Sequence, residues 1–529
     1  MSNYSTVIIL SIIFFVSAKN VQEQKLSIAR SKFLFQERSR AMGSSIVLNK
    51  MEQVANRFLM KIKLEELQQG FDEPTKFIPA RSFLEAVEDM KKSKVFRLLK
   101  ALPKGAVLHG HDSALISSEF LFKMTYAKNL WVKVNDKNEF QEFKFAKEKP
   151  GIDGNDKCQS CQWNNLVQLR DTNTSTKVDE WLKPQMSLNS QHAGMDVNTI
   201  WKRFMLQFKV VSPLVTYKPA WWYILYNTFK EFYEDNVSYM EIRGRFKELR
   251  DLNSRTMESL QVARFNRAVL KSFQKRHRDF YGARFIYSPL RFLNETTFEP
   301  HSVLLRKLLR HYPDFVAGFD LVGQEDIGST LKNLTRSILK EKGRTKFYFH
   351  AGETNWSGFH SDENLVDALL LGAKRIGHGY AVTKHPKVAE YIKRKRIGIE
   401  LCPISNQVLG LVKDMRNHPA AAMFTDDYPI VIAPDDPGFW GAKGVTYDWY
   451  EAFMGLAARW QDLRLLKQLA LNSIEQTSLN RKQKYELWRL WNKKWNRFIH
   501  DVIRYKGIFP EEKKPKKNAI PKYVKALGE

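Results

Sequence analysis

The sequence predicts an α/β protein built on a TIM-type (β/α)8 barrel, with an N-terminal helical extension and a subdomain inserted after the first strand. Eight short apolar segments recur between residues 106 and 436, and amphipathic stretches long enough for helices separate most of them. Hydrophobic residues make up 43% of the 529 residues, which is enough for a large buried core. A doubly wound sheet also alternates strands and helices, but it usually has fewer strands.

Residues 1–18 are predicted to form a signal peptide that directs the protein to the extracellular space. Their apolar run, VIILSIIFFV (7–16), has the length that is typical of such signals. Val16 and Ala18 are small enough for cleavage after Ala18. A buried N-terminal helix or strand is the alternative interpretation. Sequons for N-glycosylation fit a secreted glycoprotein, and they lie at Asn173, Asn236, Asn294, Asn333 and Asn355.

Residues 19–100 are predicted to form a helical region that precedes the barrel. The segments 51–69 and 81–102 place apolar residues at spacings of three and four, which is the period of an amphipathic helix. The barrel is expected to span 101–505, and a basic tail, 506–529, follows it. No apolar run reaches the roughly 18 residues of a membrane-spanning helix, so no transmembrane segment is expected.

The eight barrel strands are predicted from apolar runs that are typical of buried parallel strands. They are AVLH (106–109), VSYMEIR (237–243), ARFIYS (283–288), FVAGFDL (315–321), KFYFH (346–350), RIGHG (375–379), IGIELC (397–402) and PIVIAPDD (429–436). Right-handed crossovers place the C-terminal end of every strand at one face of such a barrel. Polar residues at those ends are therefore expected to converge.

A long interval separates the first strand from the second. Within it, residues 124–184 are polar, and a connection of this length predicts an inserted subdomain. Cys158 and Cys161 lie in this insert, without the H-x-E partner and the preceding proline of the cysteine-based zinc deaminases. We therefore expect no catalytic zinc there. A local disulfide, an intersubunit disulfide and free thiols all stay open.

The ends of four predicted strands carry the residues of a candidate catalytic centre. In chain order these are His109 and His111, His350 and Glu353, His378, and Asp435 and Asp436. Alternate residues of a strand point to the same side, so the two histidines of the first strand end can share a metal. Each residue alone has an ordinary explanation as a core histidine or a helix N-cap. Together, at one barrel face, they predict a metal-dependent catalytic site.

Zinc fits this set of donors, because it binds neutral imidazole and carboxylate and keeps a position open for water in catalytic sites. The predicted ligands are His109, His111, His350 and Asp435. Zinc lowers the pKa of a bound water to about 7, which predicts a hydrolytic reaction. His378 is then free to act as a general base or to orient the water, and a protonated Glu353 can donate to a substrate nitrogen. Asp112 and Asp436 are candidates for binding polar substrate atoms.

Long motifs in a fixed order resemble the adenosine deaminases, most closely their extracellular branch, the adenosine deaminase growth factors. The resemblance runs from about 85 to 505 and is carried by LPKGAVLHGHD (102–112), FYEDNVSYMEIRGR (232–245), AGFDLVGQED (317–326), FHAGETNW (349–356), RIGHGYAVTKHP (375–386), ELCPISNQVL (400–409), RNHPAA (416–421) and DDPGFWGAKGVTYDWYEAFMG (435–455). It implies one zinc ion at the four ligands named above, Glu353 as the proton donor to purine N1, and His378 as the acid and base beside the attacking water. Asp112, Trp201, Gly323 and Asp436 match positions that hold the nucleoside.

The implied reaction is the hydrolysis of adenosine to inosine and ammonia, with 2′-deoxyadenosine as a second candidate substrate. The resemblance also implies a homodimer held by the N-terminal helices, growth-factor behaviour, and contact of the insert with a receptor or a glycosaminoglycan. The alternative, from a different class, is a growth-factor-like secreted binding protein with weak or vestigial deaminase activity. Leu290 departs from the family pattern, because related extracellular enzymes can carry a histidine there that contacts the ribose. Leucine cannot make that hydrogen bond.

The net charge is strongly positive, at +28. One interpretation is a solvated basic surface, and the other is attraction to polyanions such as a glycosaminoglycan or to an anionic cell surface. Nucleic acid would satisfy the same electrostatics, but no nucleic-acid-binding motif is present and a signal peptide argues against intracellular partners. We therefore expect no nucleic acid among the partners.

Overall fold

The computed structural model describes residues 2–152, 156–511, 520–525 and 527. Eight parallel strands form the predicted barrel: β1 Gly105–Val107, β2 Val237–Gly244, β3 Gly282–Tyr287, β4 Val316–Phe319, β5 His350–Ala351, β6 Arg375–His378, β7 Gly398–Leu401 and β8 Ile430–Ile432. All eight residues of β2 and all four of β6 are buried. Burial on both faces is expected for a barrel whose interior is filled by side chains and whose outside is covered by helices.

The barrel closes through its strand ends. The strands β1, β2, β3 and β4 pair in that order in one sheet, and β5, β6, β7 and β8 pair in that order in another. A parallel bridge between Phe319 and Phe347 joins the two sheets on one side, and a bridge between Gly110 and Asp435 joins them on the other. The register of β5 and β6 sets His350 beside Gly377. Residues at the C-terminal strand ends therefore take part in closing the barrel.

Helices surround the barrel as predicted. They are Val197–Val215 and Lys218–Glu234 before β2, Ser259–Arg276 after β2, Glu295–His311 after β3, Thr335–Glu341 after β4, His360–Leu371 after β5, Pro386–Lys395 after β6, Pro403–Val408 and Ala420–Phe424 after β7, and Thr446–Tyr450, Leu463–Glu475 and Arg481–Arg504 after β8. The last long helix begins at a capping box between Asn480 and Gln483. The predicted fold class is thus confirmed.

The N-terminal region is helical, with helices Ser2–Ser39, Lys50–Asp72, Phe83–Met90 and Lys94–Ala101. The predicted helical segment 81–102 is two helices, because Oγ of Ser93 accepts a hydrogen bond from the backbone N–H of Phe96 and so caps a new helix. The first helix runs through the predicted cleavage point, and cleavage there stays a prediction. Among the described helices, none has the length and the apolar character needed to cross a membrane.

Buried hydrogen bonds join the helix Lys50–Asp72 to the barrel. Oε1 of Glu52 accepts hydrogen bonds from Lys467 at 2.6 Å and from the indole of Trp495 at 2.7 Å. Nζ of Lys63 donates to the carbonyl of Gln461 at 2.7 Å. These bonds satisfy buried groups that would otherwise be costly, so they fix the N-terminal region against the barrel.

The insert between β1 and β2 contains a three-stranded antiparallel sheet. Its strands lie in the order Phe140–Phe145, Leu130–Val134 and Gln162–Asn165. The helices Leu166–Thr172 and Ser175–Leu182 follow the sheet. Cys158 and Cys161 form a local disulfide, which is one of the alternatives that the sequence left open. Within the predicted basic tail, 506–529, residues 512–519, 526, 528 and 529 lie outside the described residues.

Candidate active site

Three histidines and one aspartate meet at the C-terminal end of the barrel. One ligand atom of each lies within 4.8 Å of the others, and the four residues are His109, His111, His350 and Asp435. Oδ1 of Asp435 lies 3.2 Å from Nε2 of His109 and 3.0 Å from Nε2 of His111. These are the four residues that the sequence predicts as zinc ligands, drawn from the ends of β1, β5 and β8.

Gly110 allows the first strand end to lie directly against the last. A Cβ atom at this position would lie 2.4 Å from Cδ2 of Leu115 and 3.2 Å from the backbone carbonyl oxygen of Asp435. The backbone N–H of His111 donates to that same carbonyl at 3.3 Å. A residue without a side chain is therefore favoured between His109 and His111 if Asp435 is to stay beside them.

Two buried carboxylates orient the imidazole rings. Oε2 of Glu400 lies 2.8 Å from Nδ1 of His109, and Oδ2 of Asp320 lies 2.7 Å from Nδ1 of His350. Burial opposes the ionisation of Glu400, but the charges of Arg243 and of a second arginine outweigh it and hold the pKa of Glu400 well below its ordinary value. The ionised carboxylates accept the Nδ1 protons, so the Nε2 lone pairs face the centre of the cluster.

The cluster has the chemistry of a cation site. Nε2 of His109 and Oδ1 of Asp435 are buried, and neither has a hydrogen-bond partner within the part of the chain that the structure describes. Two buried hydrogen-bond acceptors in contact lower the stability of the folded protein unless a cation lies between them. Neutral imidazole and carboxylate donors are those that zinc binds in catalytic sites. The residues present therefore fit a divalent metal.

Glu353 lies beside the cluster in surroundings that favour its protonated form. Burial, followed by the charges of Asp435 and Glu325, raises the pKa of Glu353 well above its ordinary value. Oε1 of Glu353 is buried and has no hydrogen-bond partner among the described residues. Its backbone N–H donates to Glu325 at 2.8 Å, which fixes the turn after β5. A neutral carboxylic acid in this place can donate a hydrogen bond into the cleft that Glu353 lines.

His378 is the complementary neutral base. Its Nδ1 lies 3.4 Å from Oε1 of Glu353, and its Nε2 lies 4.0 Å from Oδ2 of Asp435. Burial lowers the pKa of His378 well below its ordinary value, so the ring is neutral at pH 7. The backbone of His378 has φ +60° and that of Asp435 has φ +57°, a conformation that non-glycine residues rarely adopt. Such strain is concentrated at functional sites.

A cleft of about 790 Å³, which includes its part open to solvent, leads down to these groups. All four residues predicted to hold a nucleoside line it, namely Asp112, Trp201, Gly323 and Asp436. Burial and the neighbouring Asp435 raise the pKa of Asp436 well above its ordinary value. Trp201 stands on the helix after the insert, 5.4 Å in an edge-to-face contact from Phe204. The surface that lines the cleft is mainly apolar, with polar groups placed among it, which is typical of small-molecule sites.

The structure also reveals site residues that the sequence analysis missed. They are the buried Arg243, Asp320 and Glu400 behind the histidines, and the cleft-lining Phe204, Met205, Phe208, Arg245 and Lys247. The first three lie inside the predicted strands 237–243, 315–321 and 397–402. A charged residue within an otherwise apolar strand is the signal that would have found them, because such groups are buried only when paired.

Two family models match this chain, and both describe deaminases. A family model described as adenosine deaminase matches residues 178–493, and one described as adenosine/AMP deaminase N-terminal matches residues 8–99. The chain is 41% identical over 470 residues to an adenosine deaminase of Phlebotomus duboscqi, which covers 88% of this chain and 90% of that protein. It is 37% identical over 497 residues to adenosine deaminase 2 of Homo sapiens, and the match covers 92% of this chain and 95% of that protein.

Solved structures share the fold. An amidohydrolase from Burkholderia ambifaria with bound zinc has a TM-score of 0.53 at 15% identity and covers 78% of this chain and 95% of its own. An N6-methyl-AMP deaminase from Arabidopsis thaliana has a TM-score of 0.52 at 17% identity, with 75% and 98% covered. The fold follows from these structures, and the family follows from the closer relatives and the matching models. The chain therefore belongs to the adenosine deaminase family of enzymes.

Proposed function

We propose that this protein is a secreted, zinc-dependent deaminase that converts adenosine to inosine and ammonia, with 2′-deoxyadenosine as a second candidate substrate. One observation carries the proposal: four metal-binding side chains converge beside a protonated Glu353 and a neutral His378. Relatives named adenosine deaminase support the substrate, and a structural neighbour with bound zinc supports the metal. We propose one zinc ion for each subunit.

Each residue has a defined part in this reaction. Zinc held by the three histidines and Asp435 of the cluster would lower the pKa of a bound water. Glu353 donates its proton to ring nitrogen N1, which makes C6 of the purine electrophilic. His378 takes up a proton from the attacking water, and Asp112 and Asp436 hold the nucleoside. Because these groups are fixed before the substrate arrives, they stabilise the developing charge with little reorganisation.

A direct assay tests the proposal. Purified protein loaded with zinc is mixed with adenosine or 2′-deoxyadenosine, and the ultraviolet absorbance of the base and the release of ammonia are followed. We expect loss of the substrate, formation of the hypoxanthine nucleoside in equal amount, and arrest of the reaction by a chelator with recovery when zinc is returned. Zinc-loaded, folded protein that leaves both nucleosides unchanged would contradict the proposal.

We further propose that the protein is a secreted glycoprotein, with residues 1–18 as the signal. Among the sequons, Asn173, Asn294, Asn333 and Asn355 are exposed, which suits modification, and Asn236 is half-buried. Expression in a eukaryotic secretory host tests this, with sequencing of the mature N-terminus and treatment with a glycosidase. Retention of the uncleaved chain inside the cells would argue against secretion.

We also propose a homodimer and an affinity for glycosaminoglycans or a cell-surface receptor, through which the enzyme would influence cell growth. The helix Ser2–Ser39 exposes large apolar side chains, which favour association: Val21, Leu26, Ile28, Phe33 and Phe35. The net charge of +28 favours binding to polyanions. Light scattering measures the oligomer, and elution from heparin compared with a sulfonate exchanger separates specific binding from general charge.

A further inference from the structure

The last long helix of the barrel, Arg481–Arg504, is strongly cationic. It carries eight lysine or arginine residues and two acids, Glu486 and Asp501. One side of the helix packs against the rest of the protein through buried apolar residues, which are Leu487, Trp491, Trp495, Phe498, Ile499 and Val502. Because that side is apolar, most of the cations lie on the side that faces the solvent.

Five of these cations form a line along the exposed side of the helix. At about 100° for each residue, their positions fall within about 80° of one another around the helix axis. The line is about 33 Å long, because 22 residues separate its two ends at about 1.5 Å each. All five residues are exposed. We call this surface the cationic stripe, and its members are Lys482, Arg489, Lys493, Arg497 and Arg504.

The charge of the cationic stripe is not balanced within the part of the chain that the structure describes. None of its five cations forms an ion pair there. Lys494, which lies off the stripe, pairs with Asp279 at 3.0 Å. Glu486 is the acid on the same side as the stripe, and its Oε2 accepts a hydrogen bond from the hydroxyl of Tyr281 at 2.9 Å. The stripe is therefore a line of positive potential that is open to an external anion.

The insert, to which the family resemblance assigns contact with a glycosaminoglycan, has almost no net charge. Residues 124–184 contain ten lysines and arginines and nine acids. One of these cations, Lys133, lies between two carboxylates, 2.5 Å from Glu142 and 2.7 Å from Asp156. The helix Arg481–Arg504 carries an excess of six positive charges in 24 residues. Since net charge governs the attraction of a polyanion to a surface, the helix is favoured over the insert.

The shape of the stripe favours a linear polysaccharide over nucleic acid. A helix reads a duplex by entering its major groove, but this helix is packed against the protein along its buried side and cannot enter one. Single-stranded nucleic acid is bound by aromatic side chains on which successive bases stack, and the stripe has no aromatic member. The exposed rings of Tyr485 and Trp488 lie to one side of it and stack on each other, with centroids 5.8 Å apart. A sulfated polysaccharide needs a line of cations and no such rings.

We propose that the cationic stripe binds a sulfated glycosaminoglycan, and that the insert does not. The inference rests on the proposed affinity for glycosaminoglycans and gives that affinity a place on the molecule. Ionic contacts release counterions from the polyanion, so binding weakens steeply as the salt concentration rises. No member of the stripe lines the catalytic cleft, so a bound polysaccharide leaves the cleft open to a nucleoside.

Two variants with the same change of charge test the inference. The stripe variant combines Lys482→Gln, Arg489→Gln, Lys493→Gln and Arg497→Gln. The control variant changes four exposed cations of the insert, with Lys128→Gln, Lys137→Gln, Lys149→Gln and Lys157→Gln. At about 0.15 M salt, we expect the affinity of the stripe variant for immobilised heparin to fall at least about tenfold, and that of the control variant by less than about twofold. The kcat/KM for adenosine should be unchanged in both.

A footprint on the natural sequence keeps the inference testable if the stripe variant does not fold. Lysines are acetylated with a small reagent in the presence and absence of heparin, and mass spectrometry identifies the modified positions. We expect heparin to cause a loss of modification at Lys482 and Lys493, and no change at Lys137 and Lys149. Protection of the insert lysines alone would overturn the inference.

Equal losses of heparin affinity in the two variants, or a larger loss in the control variant, would also overturn the inference. Single-stranded DNA that binds more tightly than heparin, and is lost in the stripe variant, would overturn it in favour of a nucleic-acid surface. Full-length protein that elutes from heparin no later than from a sulfonate exchanger would contradict the proposed glycosaminoglycan affinity as well. Turnover of adenosine, measured on the same protein, separates all of these outcomes from a failure of the proposed deaminase activity.

Discussion

Arg243 and Glu400 form a buried ion pair in the centre of the barrel, with 2.7 Å between Nη2 and Oε2. The same oxygen of Glu400 lies 2.8 Å from Nδ1 of His109. Asp320 repeats the pattern on the other side, with its Oδ2 2.6 Å from Nε of Arg243 and 2.7 Å from Nδ1 of His350. One arginine thus fixes both carboxylates that orient the metal-binding rings.

This relationship predicts the effect of Glu400→Gln on metal binding. Glutamine has the shape of glutamate but no charge, so it accepts the Nδ1 proton of His109 less strongly and lets the ring turn. Loss of such an outer partner typically costs about 10- to 100-fold in metal affinity. We expect a weakening of that size for zinc, measured by competition with a chromogenic chelator rather than by activity.

Glu390→Gln is the control for this change, because it removes a carboxylate from a surface pair in which the glutamate side chain is 58% exposed. Its zinc affinity should match that of the natural sequence. Equal zinc affinities for Glu400→Gln and the control would show that the contact between Glu400 and His109 does not orient the ring.

Glu353→Gln tests the proton donor. The amide keeps the volume of the side chain but cannot transfer a proton to the purine, and general acid catalysis contributes about 10²- to 10⁴-fold. We expect kcat to fall by at least about a hundredfold while zinc affinity is retained. The exposed Glu363, ten residues further on, gives a matched control in Glu363→Gln. A Glu353→Gln enzyme with more than half of the normal kcat would rule out the proposed role.

The barrel and the metal cluster could be predicted because their signals are local in the sequence. Each strand is a short apolar run, and each candidate ligand directly follows one, so the chemistry of the strand ends can be recognised before the fold is known. The position of Trp201 was accessible only through the family resemblance. It lies on a helix that follows a long insert, and no periodic pattern in the helix marks one residue as facing the cleft.

The second layer of the site could not be predicted from spacing. Asp320 and Glu400 act through contacts between strands that are far apart in the chain, and Arg243 contacts both. Such contacts depend on the register of the closed barrel, which apolar runs do not specify. Likewise, the break at Ser93 depends on a side chain that caps a helix, and the apolar period continues through it.

Gly110→Ala tests the closure of the barrel at the metal site. The added methyl group would lie 2.4 Å from Cδ2 of Leu115 and 3.2 Å from the carbonyl oxygen of Asp435, so the Leu115 side chain must shift and the Asp435 backbone must yield slightly. Overpacking of this kind costs about 1–3 kcal/mol of unfolding free energy. We expect a lower melting temperature together with weaker zinc binding. Gly151→Ala is the control, since a Cβ there meets no atom within 4 Å. Equal losses of melting temperature and zinc affinity in both variants would contradict the argument.

The pH dependence of stability gives an independent test of the protonation of Glu353. Its pKa in the folded protein is raised well above the value of 4.5 that it has when unfolded, so between these two values the folded state holds a proton that the unfolded state has released. Stability must therefore fall as pH rises through this window, by up to about 1.4 kcal/mol for each pH unit. Glu353→Gln removes this contribution, because glutamine does not titrate. In chelator-treated protein, chemical denaturation should show the variant gaining stability relative to the natural sequence as pH increases above 5, and a constant difference would mean that Glu353 is ionised in the folded state.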